Sequence, residues 1–258
     1  MLDAEDRPQE ASETGTPAPE AERYVRPKQT RLVRFGKSIR APVNAWFAKQ
    51  SLIPTSPIID AEHLPALAVN ETEWRAIRDE AAALLAGRED IPAFGKISPD
   101  HRRIASGPQW KSFFFEGYGF RSEKNRALCP ATAAFLDRIP GLVVGFYSIM
   151  AGDTHVPRHR GLTKAWLNCH LPLVVPKNPG RCEIDVDGTL HQWREGEWFV
   201  FDETFAHEVW NDTGQSRVVL MLQVRRPMRW PGRMAARTIY ELIRRTGFVQ
   251  DVRQALGA

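Results

Sequence analysis

Three residues in this chain have types and spacing suited to chemistry: His159, His207 and Arg217. Imidazoles are good ligands for Fe(II), and an arginine presents a planar fork that grips a carboxylate through two hydrogen bonds. Arg217 follows His207 by ten positions. That is the layout of a site in which two histidines on different jelly-roll strands hold Fe(II) and the arginine takes the far carboxylate of 2-oxoglutarate. A single histidine is more often a core or surface residue, so the constellation carries the reading. The stretch VPRHRGLTKAWLNCHL, residues 156–171, complicates it. Iron sites of this kind usually read His-x-Asp, whereas here the order is His159-Arg160-Gly161, with no carboxylate to act as a third ligand.

Strands must hold these residues, and the sequence supplies them. Beyond Gly141 come short β-rich runs: LVVGFYSIM, WLNCHLPLVV, CEIDV, LHQW, EWFVFD, HEVW and RVVLMLQV. Turn-formers separate them, notably Asp187-Gly188, Glu195-Gly196 and Asn211-Asp212-Thr213-Gly214. Many short strands at such intervals predict a mainly β fold with flanking helices, of the double-stranded β-helix type (jelly roll, cupin-like). Ahead of them, Asn70 and Glu73 form a capping-box pattern, and Trp74, Ile77, Ala81, Leu84 and Leu85 share one helical face up to Gly87. A second short helix is expected over 130–138. Together these predict a catalytic domain over 70–228, with a helical lead-in at 70–140 and a jelly-roll core at 141–226. Trp166, Trp193, Trp198 and Trp210 suit core or rim packing, whereas Trp110 in WKSFFF suits either the core or a substrate channel. His63, His101, His155 and His191 are expected at the surface or in hydrogen bonds rather than as ligands.

A chain of 258 residues with 43% hydrophobic content can bury one substantial core with appendages. The first 23 residues hold seven acids and two arginines with almost no large apolar side chain, so residues 1–30 are expected as a disordered acidic tail. The rest is basic and favours an acidic partner. In the 31–69 segment Leu32, Phe35, Ile39, Val43 and Trp46 recur at steps of three or four among purely basic charges. This suits a helix on an anionic membrane, interrupted near Pro42, or one packed on the domain with its charges solvated. A second basic helical segment is expected over 229–258, with Met234, Thr238, Ile239, Leu242 and Ile243 near one side and seven arginines against one acid between Arg225 and Arg245. Cys129, Cys169 and Cys182 have neither zinc-ribbon spacing nor an even count. With no apolar run near the ~20 residues a spanning helix needs, a reduced cytoplasmic setting peripheral to the inner membrane is expected. No motif specific for nucleic acid is present, and oligomeric state is not legible.

The residues YSIMAGDTHVPRHRGLTKAWLNCHLPLVVP, followed by CEIDVDGTLHQWREGEWFVFDETFAHEVWNDTGQSRVVLMLQVRRPM, resemble the aspartyl/asparaginyl β-hydroxylase family of Fe(II)/2-oxoglutarate dioxygenases. The resemblance implies a hydroxylase that uses Fe(II), 2-oxoglutarate and O2. It implies that His159 and His207 bind the metal, that Ser148 and Arg217 hold the distal carboxylate of 2-oxoglutarate, and that His170 lies near its other end. Gly161 is similar to the peptidyl branch of the family, which also has a glycine where most such enzymes place the third, carboxylate ligand; water would complete the metal, oriented by Asp202 or Glu203 from just outside its ligands. One departure stands out. Two residues before His170 the family usually has an arginine that helps bind the oxoacid, and this chain has Asn168, with Lys164 and Arg160 the nearest cations in sequence.

Two substrates compete within the resemblance. RDEAAALL, LCPATAAFLDRIPGL and RRPMR look like the branch that hydroxylates carbon 2 of acyl chains in lipid A or ornithine lipids, for which basic flanks at an anionic membrane surface make physical sense. YSIM, DTHV, Gly161 and FAHEVWND look closer to the peptidyl aspartyl/asparaginyl hydroxylases. A jelly roll that binds without catalysis is the third reading, through Asn168.

Overall fold

A computed structural model describes the backbone of residues 31–88, 90–97, 107–177, 180–246, 249 and 253, and the side chains of all of these but 31–38 and 96–97. The acidic tail expected over 1–30 and His101 lie outside the described residues. In chain order the helices are α1 (Arg31–Gln50), α2 (Glu71–Gly87), α3 (Phe94–Ile97), α4 (Glu123–Leu128), α5 (Pro130–Asp137) and α6 (Trp230–Arg244). The first four strands are β1 (Ile58–Ile59), β2 (Trp110–Gly117), β3 (Phe120–Arg121) and β4 (Leu142–Met150). β5 (Thr154–His159), β6 (Trp166–Val174), β7 (Cys182–Val186) and β8 (Thr189–Gln192) follow. The last three are β9 (Phe199–Phe201), β10 (His207–Asn211) and β11 (Arg217–Arg225).

They form two antiparallel sheets, one in the order β1-β9-β6-β11-β4-β2-β3 and the other β5-β10-β7-β8. The helical cover and the smaller sheet give the expected mainly β jelly roll. The larger sheet has two working faces because alternate side chains leave a strand in opposite directions. On one face Leu167, Cys169, Leu171 and Leu173 of β6 join Leu220 and Leu222 of β11 beneath α2, whose Trp74, Ile77, Ala81 and Leu84 are buried there. The capping box at Asn70 and Glu73 starts α2 as the sequence predicts. Glu80 then fastens α2 to α5, accepting hydrogen bonds from the Ala131 and Thr132 amides at 2.6 and 2.9 Å.

The opposite face is shared. One part packs on the smaller sheet through Met150, Phe199, Phe201, Val156, Ile184, Val186 and Trp193. The other part is closed by α1 and α6 through Phe47, Phe146, Trp166, Met228, Ala236 and Tyr240. Between these two clusters lies the site. Asp187 and Gly188 join β7 to β8 with φ of 54° and 89°, the left-handed pair that a two-residue hairpin demands.

Two expectations need correction. The 70–140 lead-in is not wholly helical, because β2 and β3 lie inside it and extend the larger sheet. Phe113 and Phe115 of β2 face α2 while Phe114 faces the other cluster, so β2 is apolar on both sides and lacks the alternation that marks a half-buried strand. Nor is α1 interrupted at Pro42: the helix runs through it. Pro42 is exposed, so the carbonyl deprived of a donor can be hydrated and the helix continues past it.

Candidate active site

His159 and His207 are opposite partners on β5 and β10, with ring centroids 4.1 Å apart. Their alignment depends on a bulge in β5. From Val209 to His207 the partner strand advances by two residues while β5 advances by three, from Val156 to His159. Pro157, which has no N–H to lend to a ladder, sits in that extra length, and the bulge turns His159 towards His207. Each Nδ1 faces a main-chain carbonyl two residues upstream, His159 to Pro157 at 2.8 Å and His207 to Phe205 at 3.0 Å. These bonds set the tautomer with the proton on Nδ1 and the lone pair on Nε2, as a metal-binding imidazole requires. Burial first, and then the neighbouring His159, lower the pKa of His207 to about 4, so it is neutral at physiological pH.

From the histidines a row of buried side chains runs inward. Phe201 lies between His207 and His170, 5.2 and 5.3 Å from their rings. His170 faces Trp193 at 6.1 Å, and the Arg217 guanidinium lies over the Trp193 ring at 4.5 Å. Arg217 Nη2 donates to Ser148 Oγ at 3.4 Å, and Trp110 Nε1 donates to the same oxygen at 3.0 Å. The alternation of β4, β6 and β11 puts Ser148, Asn168, His170 and Arg217 on the face opposite α2. Burial pushes Arg217 down to about 10, still fully charged at neutral pH, and burial together with that charge holds His170 well below its ordinary pKa.

Polar atoms without partners concentrate here. Both ring nitrogens of His170, Nε of Arg217, Nε1 of Trp193, Oδ1 of Asn168 and Oγ of Ser112 are buried with no hydrogen-bond partner. Each costs about 1–3 kcal/mol if it stays so. An elongated dicarboxylate with a keto group satisfies such a set, and the charged fork at the deep end fits one of its carboxylates. Ser112 and Trp193 are additions to the residues anticipated from sequence. Ser112 lies directly opposite Ser148 in the β2–β4 register, so both hydroxyls share one face.

The shallow end differs. Asn168 Nδ2 and Gln223 Nε2 both donate to Glu203 Oε2, at 3.1 and 3.0 Å. Glu203 is buried, and burial raises its pKa to about 7 against the opposing hydrogen bonds from Leu162, Asn168 and Gln223. It also occupies the room beside Gly161: a Cβ there would collide with Glu203 Cγ and Cδ. The position that usually carries a carboxylate ligand therefore has a carboxyl group next to it, delivered from the turn between β9 and β10. Among the described residues no three His, Cys, Asp or Glu side chains group as a metal set, so Glu203 stands off from the two histidines. Asp202 points the other way. It is fully buried, paired with Lys164 Nζ and Arg226 Nη2 at 2.6 Å each, and belongs to the framework. Arg160 donates to the Thr204 carbonyl at 3.1 Å. Lys164 and Arg160 are thus both engaged away from Asn168. Two imidazole nitrogens with a carboxyl group just outside fit Fe(II) that keeps positions for an oxoacid and water.

The other described histidines, His63, His155 and His191, take the roles anticipated for them. His155 is exposed and pairs with Glu208 at 2.7 Å, and His191 stacks on Phe199.

A double-stranded β-helix with two facing histidines and a buried arginine beyond them is the architecture of the 2-oxoglutarate-dependent hydroxylases. The comparisons narrow the class. Residues 71–227 match the model of the aspartyl/asparaginyl β-hydroxylase family, to which this chain belongs and whose members typically depend on Fe(II) and 2-oxoglutarate. It is similar to an ornithine lipid ester-linked acyl 2-hydroxylase of Rhizobium tropici, 32% identical over 253 residues, which covers 93% of this chain and 90% of that one. It is also similar to a human aspartyl/asparaginyl beta-hydroxylase, 33% identical over 162 residues, 61% of this chain but 20% of the human one. A Pseudomonas putida prolyl-4-hydroxylase structure overlaps with a TM-score of 0.40 and 20% identity, over 72% of this chain and 98% of that chain.

Proposed function

We propose that this protein hydroxylates carbon 2 of a fatty acyl chain in a membrane lipid, using Fe(II), 2-oxoglutarate and O2. The observation that carries the choice of substrate is likeness along nearly the whole chain, flanking segments included, to a relative whose name specifies an ester-linked acyl 2-hydroxylase of ornithine lipid. Likeness to the human aspartyl/asparaginyl beta-hydroxylase extends over 61% of this chain. The shallow pole supports the same choice. Asn168 and Gln223 both donate to Glu203 there, and the trio includes no cation, which suits a neutral acyl ester or amide better than the carboxylate of a peptide aspartate.

In this reading His159 and His207 give their Nε2 lone pairs to the metal. Arg217 and Ser148 hold the distal carboxylate of 2-oxoglutarate, while His170, kept neutral by burial and by Arg217, accepts or donates one hydrogen bond nearer the metal. Glu203 orients a water beside Gly161, and Phe199 and Phe201 keep bulk water out. When bound, Fe(II) and the cosubstrate supply the oxidation itself: O2 and 2-oxoglutarate become succinate, CO2 and one hydroxyl that replaces a C–H hydrogen. The row of unpaired buried polar atoms argues for a ligand-binding pocket rather than a jelly roll released from that duty.

The test compares total lipids, by mass spectrometry, from the organism that encodes the protein, from a deletion strain, and from that strain carrying wild type or His159→Ala. Lipids lighter by one oxygen should accumulate in the deletion and be restored by wild type alone. An unchanged lipidome contradicts the reading and leaves the peptidyl one.

A further inference from the structure

α6 has two apolar faces, and the fold uses one. Gly232, Ala236 and Tyr240 are buried against the core. On the outward side Trp230, Met234 and Leu242 are 66%, 47% and 63% exposed. With Thr238 they fall at steps of four, a row that winds slowly along the exposed side of the helix. Arg233 and Arg237, also exposed, run beside that stripe. Where α6 meets α1, Pro42, Val43, Trp46, Phe47, Ala235 and Ile239 line an open groove of about 560 Å³. Trp46 is 39% exposed at its rim. A helix with its charges merely solvated has no use for a second apolar stripe.

Charge selects the occupant. The α1 sequence carries Arg31, Arg34, Lys37, Arg40 and Lys49 and no acid, and Glu241, the one acid in α6, lies 3.5 Å from Arg244. A second copy of this face would bring like charges together, and a nucleic acid would leave the apolar stripe wet. An anionic bilayer takes both, with apolar side chains at the acyl boundary and arginines among the phosphates.

We propose that the outward faces of α6 and of the second half of α1 form one surface that docks on an anionic lipid bilayer. The surface is mechanically joined to the site. Arg40 donates to the Gly161 carbonyl, and Asn44 accepts from the Lys164 amide at 2.9 Å. α1 thus grips the loop that joins His159 to β6, and Leu162 on that loop is itself 56% exposed. Docking through α1 brings the mouth beside Gly161 to the membrane. The inference rests on the lipid reading above for its purpose, but its geometry and its test do not.

The test is co-sedimentation of the full chain with vesicles of phosphatidylglycerol and phosphatidylcholine in equal parts, against vesicles of phosphatidylcholine alone. Wild type should pellet with the anionic vesicles and be released by high salt. Trp230→Ser/Met234→Ser/Leu242→Ser and, separately, Arg233→Glu/Arg237→Glu should each bind at least about tenfold more weakly. Both variants should keep the wild-type thermal transition and its turnover of detergent-dispersed lipid, because the changed side chains are exposed and outside the pocket. Equal binding to both vesicle types, or a triple serine variant that binds like wild type, overturns the proposal. So does a wild type that is dimeric without vesicles and becomes monomeric in the triple variant, which would assign the stripe to a second copy. Docking without lipid turnover would refute the substrate reading and leave the docking surface standing; turnover in detergent without docking would do the reverse.

Discussion

The two poles of the pocket treat charge in opposite ways. At the deep pole Arg217 is buried with its Nε unpaired, beside a neutral His170 and the hydroxyl of Ser148. At the shallow pole Glu203 is buried too, yet Asn168 and Gln223 already satisfy one of its oxygens. An uncompensated buried cation is costly until an anion arrives, whereas a carboxyl group that already accepts two hydrogen bonds calls for no anion. The contrast separates the part of the pocket built for the cosubstrate from the part left to discriminate among substrates. It also shows how a chain can lack both a third carboxylate ligand at Gly161 and the family arginine at 168. Those two losses meet at one residue, Glu203, which fills the room beside the first and bonds the second.

Breaking the framework behind the shallow pole should have the largest effect. Asp202→Asn leaves Lys164 and Arg226 without their shared carboxylate, so denaturant unfolding should show a loss of about 3–5 kcal/mol. Glu203, its neighbour, should behave otherwise. A carboxyl with an ordinary value of 4.5 that folding raises to about 7 keeps its proton longer when folded, so its share of stability is complete below pH 4.5 and is lost as pH climbs through 7. In metal-free protein that decline should amount to about 3 kcal/mol, and in Glu203→Gln it should disappear. If the two pH profiles superimpose, Glu203 is not the buried acid described above.

Next comes the deep pole. Arg217→Met should raise the KM for 2-oxoglutarate by about a hundredfold, the equivalent of removing a buried charge-assisted contact worth about 3 kcal/mol. Smallest should be Asn168→Ala, which removes one of two donors to Glu203 and should shift the same KM by no more than about fivefold. Comparable shifts for the two variants would erase the distinction between the poles.

Much of this was legible in the sequence, and the gaps have causes. β4, β6, β7, β10 and β11 announce themselves through β-branched and apolar runs between turn residues, and α2 through its cap. β2 escapes because WKSFFFEG is buried on both faces and has no period to read. β5 escapes because Pro157 reads as a breaker, although its bulge is what aims His159. In the site, the spacing of His159, His207 and Arg217 is a signal, and the structure brings them with Ser148, His170 and Asn168 around one pocket. Ser112, Trp193 and Gln223 give no signal, since Ser112 and Gln223 reach the site through strand register and Trp193 from the segment just after β8. Nor could sequence separate Asp202 from Glu203: adjacent residues face opposite ways, and only the fold shows that the first meets Lys164 and Arg226 while the second meets Asn168 and Gln223.

The most direct test of the central claim is isotopic. Purified protein with Fe(II), 2-oxoglutarate and vesicles made from the lipid extract of the deletion strain is exposed to oxygen-18 gas, and the lipids and succinate are analysed together. Lipid hydroxylation predicts one heavy oxygen at carbon 2 of an acyl chain for each succinate formed, and neither product with His207→Ala. Succinate formed without labelled lipid, or label placed in an added aspartyl peptide instead, would contradict it.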